Sequence, residues 1–409
     1  MAMTHEDNDL LTRVEGQAPM GEMLRACHWF PALLSSQIVA NGAPLRVQLA
    51  GCQYVAFRAG NQEVGIFDEL CPHRGASLAL ARNEDNALRC LYHGWKFSVA
   101  GEVVEVPTEP RDLPSQKAFC RSVPLRHYPV REIAGIVWVW LGAGAPAEFP
   151  DFEFNHVPDD QIYVVTQKLS YNWVQNIEAT VDSAHVGVLH QSWVRNFEAG
   201  VSYLAEFQAP VYEMEAMQGG FRFAAIRGGG EAGRSFRITQ FVLPWYTFIA
   251  PEDPPLGDRT VTFTVPVSDT ASVQWMLRYN PFRPLTESYV NPAPDRANWP
   301  PNITGDADHS WGQNREAMAT GHFTGFSHVI MEDFAIGISQ GKINDRTKEY
   351  LSAGDVGVVR MRKLLIDAAR NHQQGRSKTG TPPYRKIRTT GGVLAGPADW
   401  REHLLDLQQ

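Results

Sequence analysis

The hydrophobic and polar positions follow two different patterns along the chain. From residue 44 to about 144, short apolar runs rich in β-branched and aromatic residues are separated by turns that contain Gly and Pro, which is typical of short β-strands. The clearest runs are LRVQL, YVAFR, EVGIFD and GIVWVWLG. In the last run Val137 and Val139 alternate with Trp138 and Trp140, so one pair is predicted to face a core and the other pair the opposite face. This part of the chain is predicted to be a small β domain.

The pattern changes after the Pro-rich passage APAEFPDFEFNHVPDD, which is predicted to link two domains. Longer apolar runs predict strands, and segments near 172–190, 312–340 and 355–371 are predicted to be helical. The strand segments are IYVVTQKL, FRFAAIR, FRITQFVLPWYTFIA, RTVTFTVPV and SVQWMLRYN. Strands grouped together with helices at either end predict an α+β domain built on an antiparallel sheet. Residues 373–398 are rich in Gly and Pro and are predicted to be irregular.

The chain length also favours two domains, because 409 residues exceed what one ordinary hydrophobic core tends to support. A polar N-terminal tail is followed by apolar residues at helical spacing near residues 20–26. We therefore interpret residues 1–40 as an N-terminal docking segment, 41–146 as the small β domain and 147–409 as the larger domain.

Composition narrows the class of protein. A net charge of -8 gives no basic surface for nucleic acid. The most apolar run, residues 133–145, is shorter than the ~20 residues that a membrane helix needs. The first twenty residues lack the basic and apolar regions of a signal peptide, so a cytoplasmic location is expected. Cys27, Cys52 and Cys120 are expected to be buried free thiols, because their odd number and wide spacing do not suggest disulfides.

Four metal-ligating side chains lie between residues 71 and 93, in two matched pairs. Cys71 and His73 form a C-x-H pair, and Cys90 and His93 form a C-x-x-H pair. Two thiolates and two imidazoles would suit a tetrahedral zinc, but zinc sites more usually have C-x2-4-C and H-x3-5-H spacing. A 2Fe-2S cluster with two Cys on one iron and two His on the other needs two loops of this kind. The pattern resembles the Rieske motif, C-x-H-x16-C-x2-H. Such a cluster accepts electrons more readily than an all-Cys cluster and transforms no substrate by itself.

A second group of potential ligands lies in the segment YNWVQNIEATVDSAHVGVLH. It supplies Asp182, His185 and His190, with Gly187 between the histidines. On an ideal helix His185 and His190 lie about 140° apart, so both reach one metal only if the helix loosens or ends, which Gly187 permits. Without the cluster motif, two buried structural histidines would be the better interpretation. Because a redox cluster needs an electron acceptor, two histidines plus a carboxylate favour a non-haem Fe(II) site, although zinc would compete on affinity.

With both constellations in place, the chain resembles the Rieske non-haem iron ring-hydroxylating oxygenases over most of its length. The segments MGEMLR, CPHRGASL, CLYHGWKF, EDFAIGISQG and DRTKEYLSAGDVGVVRMRKLL are similar to the branch with phthalate, phenoxybenzoate and chlorobenzoate dioxygenases and some aryl-ether O-demethylases. The resemblance implies a small all-β Rieske domain followed by a helix-grip catalytic domain. It also implies a homotrimer, or a dimer of trimers, served by a separate NAD(P)H-linked reductase that carries FMN and a plant-type 2Fe-2S cluster.

The resemblance assigns roles to individual residues. His185 and His190 are expected to bind the mononuclear iron, and Asp182 to bridge toward His93 of a neighbouring subunit. Acidic candidates for the third iron ligand are Asp306, Asp308, Glu332, Asp333, Asp345 and Asp355. Asp333, in VIMEDFAIGISQG, matches the family position, and Glu332 is the alternate. Glu178 stands where several relatives have Asn, so the surroundings of the iron are expected to differ.

The expected function is that of a terminal oxygenase that uses O2 and reductase-supplied electrons to hydroxylate an aromatic substrate. An aromatic carboxylate that undergoes cis-dihydroxylation is favoured, and Arg227 and Arg237 are candidates for binding its carboxylate. The main alternative is O-demethylation of a methoxyarene. An electron carrier alone would leave the larger domain unexplained, and a metal-dependent hydrolase is a third possibility.

Overall fold

The chain forms two compact units in the computed structural model, which describes residues 3–110, 112–194, 207–228, 233–251, 257–285, 306–376, 384–396 and 398–405. The smaller unit contains residues 15–17 and 21–147, and the larger contains the N-terminal residues up to 14, residues 18–20 and the chain from 148 onward. The predicted docking segment is thus divided between the two units. Its helix α1 (His5–Thr12) belongs to the larger unit, and α2 (Pro19–Cys27) leads into the smaller one. A docking role for this segment stays a prediction.

The smaller unit consists mainly of short strands. They are β1 (Trp29–Leu34), β2 (Leu45–Leu49), β3 (Cys52–Arg58), β4 (Val64–Asp68), β5 (Arg82–Glu84), β6 (Ala87–Arg89), β7 (Lys96–Ser98), β8 (Val103–Glu105), β9 (Val130–Ile133) and β10 (Ile136–Trp140), with helix α3 (Leu113–Ser122) between β8 and β9. They pair antiparallel in three sheets, with the orders β2-β3-β4, β5-β6-β7-β8 and β1-β10-β9. The predicted small β domain is confirmed.

Both the Val pair and the Trp pair of β10 are buried. Because successive side chains of a strand point to opposite faces, both faces of β10 are covered. β10 is the central strand of its sheet, with β1 on one side and β9 on the other. Pro31 lies in β1, an edge strand, next to a break in register, where a missing N–H costs little.

The larger unit is built on a long antiparallel sheet. Its strands are β11 (Ile162–Leu169), β12 (Val211–Met217), β13 (Gly220–Gly228), β14 (Arg234–Val242), β15 (Tyr246–Ile249), β16 (Arg259–Ser268), β17 (Ala271–Tyr279) and β18 (Gly391–Leu394). Its helices, beyond α1, are α4 (Trp173–Val181), α5 (Val186–Leu189), α6 (Gln191–Val194), α7 (Arg315–Ala319), α8 (Val329–Ser339), α9 (Val356–Gln373) and α10 (Glu402–Leu405). The described strands follow the order β11-β17-β16-β15-β14-β13-β12, and β18 pairs with β14. The α+β prediction is confirmed.

Helix α4 packs on one face of this sheet. The amide of Asn176 donates to the hydroxyl of Thr264 at 2.8 Å, and the hydroxyls of Thr180 and Thr247 lie 3.0 Å apart. We call the sheet face that carries Thr247 and Thr264 the inner face. The opposite face is covered by an apolar cluster that includes Phe236 and Trp400. The sheet therefore has buried residues on both faces.

Two sequence predictions for the larger unit need correction. The segment 172–190 is not one helix that loosens at Gly187, because α4 ends at Asp182 and Gly187 lies inside the short helix α5. Residues 391–394 are not irregular, because they form β18 against β14. Gly391 makes that pairing possible, since a Cβ there would lie 3.0 Å from the carbonyl oxygen of Phe236.

Two predictions from composition can also be compared with the structure. Cys27, Cys52 and Cys120 form no disulfide, as predicted, but they are half-buried rather than buried. Among the described residues, no helix is both long and apolar enough to cross a membrane.

Candidate metal centres

The first centre lies in the smaller unit, where two turns present the predicted cluster ligands. The backbone N–H of Cys71 donates to Ala76 at 2.8 Å, and that of Cys90 donates to Trp95 at 2.8 Å. In each turn the N–H of a glycine four residues after the cysteine donates back to the cysteine carbonyl. These glycines, Gly75 and Gly94, have φ values of 70° and 73°, which other residues rarely adopt. Backbone hydrogen bonds and glycine thus shape both turns alike.

The four side chains of these turns converge. Cys71 and Cys90 are buried in one hydrophobic core, and the rings of His73 and His93 lie 4.5 Å apart between centroids. The Nδ1 atom of His93 is buried and makes no hydrogen bond with any described residue. Burial raises the pKa of the Cys71 thiol to about 11, so a thiolate there needs a cation. Two buried thiols facing two half-buried imidazoles, one with an unused nitrogen, fit a 2Fe-2S cluster.

The second centre begins where helix α4 ends. The side chain of Asn172 accepts from the N–H of Val174 at the N-terminus of α4, and Asp182 follows its last residue. The carboxylate of Asp182 then accepts the N–H of Ala184 at 2.7 Å, which shapes the turn before His185. The short helix α5 then separates the two histidines, because His185 precedes its first residue and His190 follows its last.

His185, His190 and Asp333 come together, with one potential ligand atom from each within 4.8 Å of the others. The Oδ1 atom of Asp333 lies 3.1 Å from Nε2 of His190 and 3.5 Å from Nε2 of His185. Asp333 projects from α8, whereas the histidines flank α5. Two imidazoles and one carboxylate on one side of a metal match the ligand set of non-haem Fe(II) sites, so these residues fit a mononuclear iron.

A carboxylate stands behind each histidine. The Nδ1 of His185 lies 3.2 Å from Oδ2 of Asp182, and the Nδ1 of His190 lies 2.6 Å from Oε2 of Glu332. Both rings therefore point their Nε2 atoms at Asp333. Glu332 is fully buried and turned toward His190, so it is not placed as the alternate third ligand. The sequence analysis did not predict that Glu332 lies behind His190. Its place next to Asp333 gave one indication, because adjacent side chains on a helix point about 100° apart.

Charge is balanced within this centre. Burial alone would raise the pKa of Asp333, but His190 and His185 hold it below its ordinary value. Burial alone would lower the pKa of His190, but Asp333 and Glu332 raise it to about 9. A metal that binds His190 must therefore displace a proton.

The other acidic candidates have different contacts. Asp306 and Asp345 each accept hydrogen bonds at the start of a 3-10 turn, and Asp355 accepts from Ser352. None of these three belongs to the group of potential ligands found among the described residues. The structure thus brings together Asp333 with the two histidines and leaves the alternatives elsewhere.

Glu178 belongs to a buried ion-pair network beside the second centre. Its carboxylate accepts from Arg346 at 2.7 and 2.9 Å and from Arg362 at 2.6 Å. Arg362 also pairs with Glu349, and Arg346 donates to Asn8 of α1 at 3.2 Å. Burial alone would raise the pKa of Glu178, but the two arginines lower it. The sequence marked Glu178 as unusual without revealing these arginine partners.

A cavity of about 210 Å³ adjoins this network and the potential metal ligands. His185 and Asp333 line it, together with Asp182, Glu178 and Arg362. The residues at its edge include Ile336 and Leu351, whose side chains are exposed. Asp182 therefore contacts His185 and also lines a cavity.

Arg227 and Arg237, the predicted carboxylate-binding residues, lie on neighbouring strands. Arg227 is opposite Ser235 and Arg237 is opposite Ala225, so the two arginines form a diagonal pair on the inner face. Arg227 is buried and donates to the carbonyl of Ser183 at 2.5 Å, in the turn before His185. Arg237 is half-buried and donates to the carbonyl of Ala250 at 3.1 Å. Both share the sheet face that packs against α4.

Two family models match the chain. The Rieske [2Fe-2S] domain matches residues 28–129, and the LigXa C-terminal domain like model matches residues 139–408. Each match contains one of the two centres described above.

Curated relatives match over most of the chain. The phthalate 4,5-dioxygenase oxygenase subunit of Pseudomonas putida is 34% identical, over 98% of this chain and 94% of its own length. The 5,5'-dehydrodivanillate O-demethylase oxygenase subunit of a Sphingobium species is 29% identical, over 89% of this chain and 80% of its own length.

A crystal structure of dicamba monooxygenase bound to dicamba has the same fold. It superposes with a TM-score of 0.62 at 16% identity and covers 86% of this chain and 99% of its own. The match extends over both predicted domains.

Proposed function

The chain belongs to the Rieske non-haem iron oxygenases, and on that premise we propose that it is a terminal oxygenase that hydroxylates an aromatic carboxylate by cis-dihydroxylation. One observation carries the proposal: the paired Cys and His turns and the group His185, His190 and Asp333 occur in one chain. An electron carrier does not need the group His185, His190 and Asp333, and a hydrolase does not need the paired Cys and His turns.

Some of these residues would bind the two metal groups, and others orient the residues that bind them. Cys71, His73, Cys90 and His93 would hold the 2Fe-2S cluster, and His185, His190 and Asp333 would hold the iron. The cluster supplies single electrons, and the iron supplies a site where O2 can react next to the substrate. Asp182 fixes the tautomer of His185 by accepting its Nδ1–H, which leaves Nε2 for the metal.

Electrons are proposed to come from NAD(P)H through a separate reductase that carries FMN. A nicotinamide gives up a hydride, whereas a Rieske cluster takes one electron at a time, so a flavin is needed between them. A cytoplasmic location, where NAD(P)H is available, stays a prediction.

Oxygen uptake tests the reaction directly. With reductase and NADH, an aromatic acid that is a substrate should stimulate O2 consumption and yield a cis-diol. Wild-type protein that reduces no O2 with any aromatic acid or methoxyarene, while its cluster is reduced normally, would remove the proposal.

The substrate carboxylate is proposed to pair with the diagonal arginines, chiefly Arg237, which is less buried than Arg227. Arg237→Met should raise KM for an aromatic acid at least about ten-fold, because a bidentate charged contact is lost, and should affect the methyl ester much less. Arg234→Met is the matched control, since Arg234 lies on the same strand but on the opposite sheet face. Equal effects on acid and ester would exclude Arg237 from substrate binding.

O-demethylation of a methoxyarene is the second candidate, favoured by the O-demethylase relative. The two reactions differ in product, because demethylation releases formaldehyde and cis-dihydroxylation does not. Formaldehyde in a stoichiometric amount to the O2 consumed would select the alternative.

A homotrimer, or a dimer of trimers, is proposed as the working assembly, with the cluster of one chain facing the iron of the next through His93 and Asp182. Exposed apolar side chains beside His93 and beside Asp182 support this arrangement, because such side chains often mark interfaces. Leu91 and Tyr92 precede His93, and Ile336 and Leu351 line the cavity that Asp182 also lines.

Mixed assemblies test this arrangement. Chains with Cys71→Ala lack the cluster and chains with His185→Ala lack the iron, so neither variant is active alone. A mixed ring of three contains one junction where an intact cluster faces an intact iron. Random mixing makes about three quarters of the rings mixed, and roughly a quarter of wild-type activity should return. If differential tagging shows mixed rings and activity stays absent, the inter-subunit route is wrong.

A further inference from the structure

The two histidines of the larger unit are supported in different ways. Asp182, behind His185, has a side chain that is 23% exposed and lines a cavity. Glu332, behind His190, has a side chain that is 0% exposed. A carboxylate removed from water in this way is costly unless its oxygens find partners. The contacts of Glu332 therefore indicate what the buried charge is for.

Both oxygens of Glu332 are occupied. Oε2 lies 2.6 Å from Nδ1 of His190, and Oε1 accepts the hydroxyl proton of Thr324. Thr324 is itself buried and lies in a segment held in place by other contacts. Its carbonyl accepts from the side chain of Gln313 at 2.6 Å, and the neighbouring Gly325 accepts from the N–H of Asn314 at 3.0 Å. Glu332 is thus fixed from both sides.

We propose that Glu332, held by Thr324, is a positioning residue that sets the tautomer and basicity of His190. Because Glu332 accepts the Nδ1–H, Nε2 is the nitrogen left to bind a metal, and it lies 3.1 Å from Oδ1 of Asp333. A carboxylate behind a ligating imidazole orients the ring and makes it a stronger donor to the metal. Two adjacent residues of α8 therefore have different roles. Asp333 would bind the metal, and Glu332 would orient the ring of His190 and make it a stronger donor. This inference rests on the proposed function only in requiring a metal at the site.

Metal affinity tests the inference without any measurement of turnover. The mononuclear metal is removed with a chelator while the 2Fe-2S cluster is retained, and Co(II) is then titrated and followed by its d–d absorption. The variants are Glu332→Gln, which removes the charge and nearly keeps the shape, and Thr324→Val, which removes only the hydroxyl. Glu153→Gln is the control, because Glu153 pairs with Arg259 and lies neither in the Glu178 network nor behind a histidine. Cluster absorption and the melting temperature are recorded for each protein.

Glu332→Gln is expected to bind Co(II) roughly 10- to 100-fold more weakly than wild type, which is the usual cost of losing such a partner. Thr324→Val should weaken binding in the same direction by a smaller factor, and Glu153→Gln should leave the affinity unchanged. If Glu332 had a structural role alone, the Co(II) affinity of the three variants would fall in proportion to their melting temperatures. That result would contradict the inference. If Glu332→Gln does not fold, Thr324→Val decides by the same measurement.

Three results would overturn the inference in distinguishable ways. Unchanged affinity in Glu332→Gln and Thr324→Val, with a wild type that binds Co(II), rejects the role of Glu332 and leaves the proposed function intact. Complete loss in Glu332→Gln, with retention in Asp333→Asn, makes Glu332 a ligand. A wild type that binds no Co(II) at this site rejects the proposed function as well.

Discussion

The two metal centres are constructed in different ways. In the smaller unit all four ligands lie between Cys71 and His93, and backbone hydrogen bonds with two glycines shape their turns. In the larger unit the residues that meet are far apart in sequence; His190 and Glu332, for example, are separated by 142 positions. Side chains rather than turns hold that centre, through carboxylates behind the histidines and the network around Glu178.

This difference has a physical consequence. A centre made by turns depends on local backbone conformation, so changes elsewhere in the chain should affect it little. A centre assembled from distant segments depends on packing and on buried charges, which are costly when a partner is lost. The larger unit should therefore be the more sensitive of the two to the removal of a buried charged group.

The largest expected effect comes from Asp333→Ala, which removes one of the three potential ligands of the larger unit. Mononuclear metal binding and oxygenase activity should fall below detection, because two histidines alone leave the site without its carboxylate. Metal analysis and the visible spectrum measure the result, and the cluster absorption should be unchanged. Asp306→Ala is the control, since Asp306 is exposed and accepts from His309. Equal metal loss in both variants would refute the assignment.

A smaller effect, on stability, is expected for Glu178→Gln. The substitution leaves Arg346 and Arg362 buried without their shared anion, which should cost about 3 kcal/mol at pH 7. The folded-state pKa of Glu178 lies below its ordinary value of 4.5, so its ionised form stabilises the protein above that pH. This contribution is lost as the pH falls through the folded-state pKa.

Urea unfolding at neutral and acid pH checks this prediction. The difference between wild type and Glu178→Gln should be largest at pH 7, should shrink below pH 4.5, where the carboxylate of the unfolded chain becomes protonated, and should be lost as the pH falls through the lower folded-state pKa. Glu84→Gln, which removes the less buried ion pairs of Glu84 with Arg82 and Arg89 in the smaller unit, should show a far smaller difference. A difference for Glu178→Gln that does not depend on pH would contradict the assigned role of its charge.

The smallest effects are expected at the glycines of the two turns. Gly75→Ala and Gly94→Ala should each destabilise the smaller unit by about 1 kcal/mol, because alanine is strained at these positive φ values. Gly94→Ala should cost more, since its Cβ would lie 3.1 Å from Pro107, whereas that of Gly75 meets nothing within 4 Å. Thermal loss of cluster absorption measures both. A stabilising Gly75→Ala would show that the turn does not depend on this conformation.

The centre made by local turns could be predicted from the sequence more fully than the centre assembled from distant segments. The turns at Cys71 and Cys90 could be predicted, because spacing and glycines encode them locally. The third metal ligand could be predicted as Asp333, with Glu332 as the alternate, only from the resemblance to a family. The two residues are adjacent on a helix, and the sequence does not show which of their side chains points toward the histidines. Packing of α8 against His190 separates them. The end of α4 at Asp182 was missed because the turn depends on a side-chain contact with Ala184 rather than on Gly187.

The most direct test of the central claim, that one chain holds a Rieske cluster and a separate iron, is the ratio of iron to acid-labile sulfide in three proteins. Wild type should contain about three irons and two sulfides per chain, His185→Ala about two irons and two sulfides, and Cys71→Ala about one iron and no sulfide. Loss of sulfide in His185→Ala, or loss of all iron in Cys71→Ala with the larger unit still folded, would contradict two independent centres.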